Sequence, residues 1–396
     1  MFDITIEQSV LMKALEFLEP TVGKNANSLG DNCIAMSTTG NGSIEMYTTN
    51  TVEFTKLEAI VAIGGNTKET APYVDFKRFK GIISSIPPTE MVSIQAKIND
   101  LDINYGLKKV PIKLVGCNNG MLSLPTNQFP SSTMITIPKE YVVEAINQVS
   151  CIITDNDAAP IYNCMRIATN GLTVDFTAVD TIAKRTFVKT ITNTQNNPVS
   201  EVLLEISKIK KSLKIFEDYQ DLDMYMDQTA IRIDGMSIKN NTPKTKGMIN
   251  GVTYFTRRLT GAFPTNIKQS FSVLPTEFCE INKSEVFSSF TRIKALEDQS
   301  TGGQIGFEVS GNSCIITMSS SYGQVEDMIT MENTVTKSFK TVFKHQNLSD
   351  IMKVIDTDTF EIGVMPNFPT NYIIKRKGSN DVMFTVPTMI GAGQTP

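Results

Sequence analysis

The sequence predicts an α+β fold in which antiparallel sheets carry their helices on one side only. Short segments that alternate apolar and polar residues indicate strands with one buried face. Each of several such segments runs directly into a stretch with helical periodicity, and two more strand-like segments joined by a polar turn follow. This pattern recurs six times in the 396 residues. Half-buried strands of this kind form antiparallel sheets, so the fold class follows from the alternation and the repeat together.

The first three units run from the N-terminus to the middle of the chain. Alternation at Phe2, Ile4 and Ile6 begins the first unit, and glycines in its turn TTGNG permit positive φ angles. Prolines stop the second helix, and Pro138 starts the third. The predicted helices are 10–18, 76–86 and 139–152, and the predicted strands include 33–36, 43–48, 73–75, 91–98, 101–107, 134–137, 162–168 and 172–179.

The last three units repeat the same order of elements. Each opens on a short apolar strand and continues into an amphipathic helix before its next two strands. The predicted helices are 206–218, 283–296 and 345–355, and the predicted strands are 202–206, 222–226, 230–234, 278–281, 305–309, 314–320, 339–343, 360–364, 372–376 and 382–386.

Two proline-containing segments, Leu124–Thr133 and Ser272–Glu277, interrupt the repeats and are typical of linkers. They divide the chain into three domains of two units each, at residues 1–130, 131–275 and 276–390, with a tail at 391–396. This division agrees with a prior of roughly 150 residues per domain. Residues 193–200 and 239–247 are predicted to be exposed polar loops.

Two of the predicted helices concentrate positive charge on one face. In 206–218, Ile206, Ile209, Leu213 and Phe216 form the apolar side and Lys208, Lys210, Lys211 and Lys214 the opposite side. In 76–86 the basic side carries Lys77, Arg78 and Lys80 without an acidic residue. The whole chain has a net charge of −4, so positive charge is segregated onto these faces. A solvated helix face is one explanation, and a surface that meets phosphate is the other.

The remaining composition excludes several classes of protein. The six cysteines are scattered without a CxxC pair, which favours buried thiols over disulfides or zinc ligands. The single histidine, His345, is expected at a helix start rather than in a metal or catalytic site. No apolar run is long enough for a membrane span, and the N-terminus lacks a signal core, so a cytoplasmic location is expected. Phosphate-binding loops and nucleophile elbows are absent, and no cofactor is predicted.

Four segments resemble the bacterial-type DNA sliding clamp, the β subunit of DNA polymerase III. These are LPTNQFP at 124–130, LTVDFTAVDTIAKR at 172–185, RRLTGAFP at 257–264 and FTVPTMI at 384–390. Their order on the repeat supports the resemblance. It implies three domains of one fold, a head-to-tail homodimeric ring with helices lining the hole, sequence-independent binding of double-stranded DNA, and no catalytic site. It also implies a DNA polymerase catalytic subunit and a clamp loader as partners.

The resemblance implies two sets of functional residues. Lys24, Lys77 and Arg78 match basic DNA-contacting positions and join the lysines named above. A pocket for short partner peptides maps onto Asp180, Thr181, Pro264, Lys268, Asn347, Val386 and Pro387. Thr181-Ile182-Ala183-Lys184 replaces the family's Gly-His-Arg-Leu, and Asn347 stands at the position of a tyrosine. A β-rich structural or adhesion protein remains the alternative function, and it does not require basic helix faces.

Overall fold

The structure, a computed structural model, describes residues 2–23, 31–50, 52–98, 100–114, 134–154, 158–216, 219–226, 230–236, 249–259, 261–296 and 303–389. The chain divides into two compact units, residues 1–140 with 208–258 and residues 141–207 with 259–396. Lys24, Cys117, the predicted linker 124–133, the predicted loop 239–247 and the tail lie outside the described residues.

The elements follow the predicted order. The α-helices are α1 (Gln8–Leu18), α2 (Phe76–Ser84), α3 (Lys139–Ser150), α4 (Ile206–Ser212), α5 (Lys283–Leu296) and α6 (His345–Val354). The strands are β1 (Asp3–Glu7), β2 (Cys33–Thr38), β3 (Ser43–Thr49), β4 (Glu53–Ile60), β5 (Ile63–Gly64), β6 (Thr70–Asp75), β7 (Met91–Ala96), β8 (Asp100–Tyr105), β9 (Lys108–Lys113), β10 (Met134–Pro138), β11 (Cys164–Asp180), β12 (Arg185–Glu205), β13 (Asp221–Met226), β14 (Ala230–Met236), β15 (Ile249–Arg257), β16 (Cys279–Asn282), β17 (Gln304–Ser320), β18 (Gly323–Lys344), β19 (Thr359–Met365), β20 (Phe368–Arg376) and β21 (Val382–Pro387). Short 3₁₀ helices cover Glu19–Thr21, Pro160–Asn163, Leu213–Phe216 and Ile267–Phe271.

All strand pairs among the described residues are antiparallel, which agrees with the predicted α+β class. The first unit holds one sheet in the order β5-β1-β7-β8-β9 and another in the order β10-β13-β14-β15-β4-β3-β2-β6. The second unit holds a sheet in the order β11-β12-β21-β20-β19-β16 and the long hairpin β17-β18. In the described residues, no helix is long and apolar enough to cross a bilayer.

The strand register repeats three times along the chain. In each repeat, three neighbouring strands place one apolar residue each in a row across the sheet, and all of these residues except half-buried Val110 are buried. The rows are Ile94–Ile103–Val110, Met224–Ile233–Tyr254 and Ile362–Ile374–Phe384. Residues within a row face the same side because cross-strand partners share a face. Val110, Tyr254 and Phe384 are therefore equivalent positions on the last strand of each repeat.

A polar turn is also repeated three times. Between β3 and β4, Asn50 Oδ1 accepts the backbone N–H groups of Val52 at 3.2 Å and Glu53 at 2.8 Å. Between β11 and β12, Asp180 Oδ1 accepts two N–H groups at 2.8 Å in the same way, and between β17 and β18, Ser320 Oγ accepts one at 3.2 Å. Such side chains stabilise turns by replacing a backbone acceptor. The turn fixes where the following strand begins.

Two predictions differ from the structure. The predicted helix 206–218 is an α-helix only to Ser212 and continues as a 3₁₀ helix through Phe216. The predicted exposed loop 193–200 belongs to β12, and its Asn193 and Asn197 are buried. Gly171 pairs with Asn197 while Thr173 pairs with Thr192, so β12 accommodates extra residues at an irregularity.

The predicted boundaries of the three domains stay a prediction. Each division of the sequence is spanned by a shared sheet, since β4 of the first repeat pairs with β15 of the second, and β12 of the second pairs with β21 of the third. Packing therefore groups residues from neighbouring repeats into one unit.

Candidate functional site

The first candidate surface begins on α2. Asp75 caps this helix by accepting the N–H of Arg78 at 2.8 Å, and Asn32 donates to the other oxygen of Asp75 at 3.3 Å. Phe76, Phe79 and Ile83 are buried. The opposite side therefore turns outward, and Lys77 and Arg78 are exposed there, as the sequence predicts.

The second part of this surface is α4 with its 3₁₀ continuation. Ile206, Ile209 and Phe216 are buried, whereas Lys210 and Lys211 are exposed and Lys208 is half-buried. Ser212 is fully buried at the point where the α-helix tightens into the 3₁₀ helix. Lys214 lies on the 3₁₀ helix, and its side chain is outside what the structure describes.

Helix α1 brings the two basic segments into the same part of the first unit. It packs against α2 and against the 3₁₀ helix Leu213–Phe216. One predicted basic residue is neutralised there, because Lys80 Nζ lies 2.7 Å from Glu19 just beyond α1. The exposed cations of α2 and α4 are thus Lys77, Arg78, Lys210 and Lys211. We call these four residues the basic helix surface.

The second candidate site surrounds the turn between β11 and β12 in the second unit. Asp180 is buried beneath this turn. Its Oδ2 accepts the N–H and hydroxyl of Thr154 at 3.0 and 2.7 Å and the guanidinium of Arg185 at 3.1 Å. Burial alone would raise the pKa of Asp180, but the hydrogen bonds from Ala183, Thr154 and Arg185 outweigh it and hold the pKa below its ordinary value. Asp180 shapes the turn and offers no free oxygen to a ligand.

The turn itself is exposed. Thr181 is exposed, the Ile182 side chain is 57% exposed, and Lys184 adopts the left-handed region with φ 53°. Ile182 therefore gives this exposed turn an apolar side chain.

Strand alternation separates the predicted pocket residues onto two faces of one sheet. Arg185 and Val386 lie on the face that carries Lys189, which contacts Glu144 of α3. Val179, Thr186, Thr385 and Pro387 lie on the opposite face, where Thr186 and Thr385 hydrogen-bond to each other across the strands. Asn347 of α6 and Val386 are buried. Asn347 and Val386 therefore support the site from behind, whereas Pro387 lies on the opposite face of the sheet.

The face with Thr385 and Pro387 adjoins an apolar cluster. It includes Val188, Met383, Phe263 and Ile267, with Val179 packed at its margin. Pro264 follows Phe263 and is half-buried. The end of β21, the exposed turn and the 263–267 segment border this cluster, and we refer to this surface as the strand-end groove.

Lys268 lies away from the turn. Its Nζ contacts both oxygens of Asp175 at 2.8 and 2.9 Å, and Thr190 donates to the same carboxylate at 2.6 Å. Asp175 precedes Asp180 on β11 by five residues, which corresponds to roughly 17 Å along a strand. Lys268 is therefore at the far end of the groove and is engaged by a carboxylate.

The sequence analysis missed three members of the groove face, Val179, Thr186 and Thr385. Their strands were predicted, but which face each residue occupies depends on the register between β12 and β21. Thr385 could have been identified as a groove residue, because it precedes Pro387 by two residues and alternate residues of a strand share a face.

Comparison with known proteins rests on structure alone. No protein-family model matches the chain, and no curated protein matches its sequence. A DNA polymerase sliding clamp from Pseudomonas aeruginosa superposes with a TM-score of 0.82 at 14% identity, covering 98% of this chain and 100% of the other. The chain has the fold of a bacterial DNA sliding clamp.

Further structures with this clamp fold agree over the same length. The DNA polymerase III β chain of Streptococcus pneumoniae TIGR4 gives a TM-score of 0.81 at 15% identity, with 99% and 100% of the two chains covered. A putative DNA polymerase III β subunit from Eubacterium rectale gives 0.80 at 16% identity, covering 98% of each chain. The predicted fold is thus confirmed across nearly the whole chain, on a strongly divergent sequence.

Proposed function

We propose that the protein is a DNA sliding clamp, a non-catalytic processivity factor that encircles duplex DNA and tethers a DNA polymerase. The clamp fold over nearly the full chain is the observation that carries this proposal. The basic helix surface supports it independently. Its four cations lie on helices of a chain whose net charge is −4. The apolar faces of these helices are buried, so the charged side chains face outward.

The chemistry of this surface suits sliding. A clamp must attract phosphates without fixing one geometry, because tight and desolvated contacts would stop movement. Three of the four cations are lysines, which are hydrated point charges on flexible stems. The contacts would be to the phosphate backbone, which carries no sequence information. Lys24, Lys208 and Lys214 are proposed to add to this surface, and Lys80 to contribute least because Glu19 holds it.

We place the partner site at the strand-end groove. Pro264, Thr181 and Pro387 form its margins, while Asp180, Asn347 and Val386 support it from within. An apolar groove beside a strand end suits a short linear motif with large apolar anchors, such as one from a DNA polymerase catalytic subunit or a clamp loader. Ile182 at the exposed turn gives this margin an additional apolar contact.

The ring is proposed to be a head-to-tail homodimer in the cytoplasm. Its decisive test is topological. The protein would be loaded on nicked circular plasmid with a bacterial clamp loader and ATP, then separated by gel filtration. We expect co-elution with circular DNA and loss after the plasmid is cut once, because a ring slides off free ends. Equal retention on circular and linear DNA, or none on either, would favour the structural or adhesion protein instead.

A further inference from the structure

A carboxylate lies beside the cations of α2. Glu19 follows α1 directly, and its carboxylate lies 2.7 Å from Lys80 Nζ. The side chain of Glu19 is 57% exposed and that of Lys80 is 21% exposed, so water and salt reach the contact. Exposed ion pairs contribute little to folding stability, because water screens both charges. The pair can therefore separate when another anion approaches Lys80.

The carboxylate side of this pair is fixed by its backbone. Glu19 begins a 3₁₀ helix, and its N–H donates to the carbonyl of Leu15. Its own carbonyl accepts the N–H of Val22 at 3.1 Å, and Thr21 between them is fully buried. A lysine ammonium, by contrast, lies at the end of a flexible stem of four carbons. Lys80 is therefore the partner that moves.

Lys80 lies next to the exposed cations of α2. Lys77 precedes it by three residues, and residues at this spacing lie on the same side of a helix with about 5–6 Å between their Cβ atoms. A phosphate that binds Lys77 is thus within reach of Lys80. Glu19 and that phosphate compete for one ammonium group.

The third repeat shows that the fold does not require this pair. Strands β1 and β16 end directly before the first helix of their repeats, and strands β6 and β18 end directly before the second helix. Counted from these ends, Lys294 occupies the position of Glu19, and Ser349 occupies the position of Lys80. A lysine and a serine replace the acid and the base, so the pair has a role on the surface of the first repeat.

We propose that Glu19 competes with the phosphates of DNA for Lys80, and that Lys80 passes between the two while the clamp slides. This inference rests on the proposed sliding clamp and concerns how its basic helix surface is regulated. When Lys80 binds a phosphate, a counterion leaves the DNA, but the released carboxylate of Glu19 attracts a cation from the salt. These two effects oppose each other, so the contact adds little to the affinity or to its salt dependence.

Such competition suits a protein that its ring, rather than its affinity, retains on DNA. A sliding ring must leave each phosphate for the next one. Glu19 offers Lys80 a replacement partner during that step, so the ammonium group is never left without an anion. Lys80 therefore helps to steer the DNA without deepening the energy minimum at any one position.

The test is a double-mutant cycle on the affinity for a labelled duplex with open ends, measured by fluorescence anisotropy between about 20 and 200 mM salt. Glu19→Gln keeps the size of the side chain and removes its charge. We expect the affinity to rise about two- to fivefold, because Lys80 no longer has to leave a carboxylate. The slope of log affinity against log salt should steepen by up to about 0.9.

Glu16→Gln is the matched control. Glu16 is exposed on the same helix, and its replacement removes the same charge without affecting the contact to Lys80. It therefore measures the long-range effect of one negative charge fewer. In a Lys80→Gln background, the effect of Glu19→Gln should fall to that of Glu16→Gln.

Sliding gives a second measurement. Wild type and Glu19→Gln would be loaded with a bacterial clamp loader and ATP on a stretched duplex and followed by single-molecule fluorescence. We expect Glu19→Gln to diffuse about two- to fivefold more slowly, because each step must then break one more phosphate contact. Equal diffusion of the two proteins would overturn the inference.

The anisotropy results separate this inference from the proposed function. Wild-type protein whose affinity for duplex DNA does not depend on salt would contradict the DNA clamp, and this inference with it. A salt-dependent wild type for which Glu19→Gln and Glu16→Gln act equally would overturn the competition alone. An effect of Glu19→Gln that persists in full in the Lys80→Gln background would also overturn it.

Discussion

Neutralising the basic helix surface should reduce the salt dependence of DNA binding by a calculable amount. Each cation that neutralises a phosphate contributes about 0.9 to the slope of log affinity against log salt for duplex DNA. Lys210→Ser with Lys211→Ser removes two exposed cations, so the slope should fall by at most 2 × 0.9, about 1.8. Adding Lys77→Ser and Arg78→Ser removes four, with an upper limit of about 3.6. If these cations neutralise phosphates only in part, both values fall in proportion.

Fluorescence anisotropy of a labelled duplex with open ends, titrated between about 20 and 200 mM salt, measures this slope without a loader. Lys377→Gln provides the control. Lys377 carries the same charge but lies between Glu280 and Glu332 at 2.8 and 2.6 Å, and these carboxylates raise its pKa. Its removal should leave the slope unchanged. A four-residue variant with the wild-type slope, or a Lys377→Gln variant with an equal loss, would remove the basic helix surface from DNA binding.

Three further predictions concern stability. Tyr254→Phe removes the hydroxyl that donates to Glu53 at 2.5 Å and leaves a buried carboxylate with fewer donors, so urea unfolding should show a loss of about 1–2 kcal/mol. Asp180→Asn should destabilise at pH 7 and progressively less as the pH is lowered below the unfolded value of about 3.9. The folded-state pKa of Asp180 is depressed, so its contribution is present above the unfolded value near 3.9 and is lost as the pH falls through the folded value. Glu144→Ala should cost more than Lys189→Met, about 1–3 kcal/mol, because it leaves the buried Lys189 ammonium without its carboxylate. When Lys189 is replaced instead, half-exposed Glu144 is still held by Arg376, which also pairs with Asp356.

For each of these three predictions, one result would contradict the reasoning. A Tyr254→Phe variant as stable as wild type would mean that water replaces the lost donor. A constant difference between Asp180→Asn and wild type from pH 7 to pH 3 would mean that the charge of Asp180 is immaterial to the turn. A larger loss for Lys189→Met would mean that packing of the lysine stem outweighs the charge of Glu144.

The amphipathic helices were predictable because their signal is local. On α2, the apolar spacing of Phe76, Phe79 and Ile83 and the cap at Asp75 lie within a single stretch of sequence, and the structure confirms them. The end of α4 was predicted too late, because a local pattern does not show where tertiary packing ends the α-helix. Burial of Ser212 beside Tyr254 is a tertiary constraint, and no local pattern encodes it.

The strand-end groove could be predicted only as a set of residues. Whether a strand residue faces the groove or the helices depends on which residue of the neighbouring strand lies opposite. Asp180 and Thr181 are adjacent in sequence, yet one is buried under the turn and the other is exposed. The repeat of Asn50, Asp180 and Ser320 could have revealed the structural role of Asp180, because three equivalent positions share a turn-forming side chain while only one adjoins the groove.

The two sheets that join neighbouring repeats inside the chain are fastened by buried contacts. Where β15 pairs with β4, the fully buried hydroxyl of Tyr254 reaches Glu53, and where β21 pairs with β12, the rings of Phe187 and Phe384 lie with their centroids 5.2 Å apart. Buried apolar area and hydrogen bonds resist opening at any salt concentration, whereas exposed ion pairs are screened. We therefore expect the contacts between neighbouring repeats within the chain to be insensitive to salt.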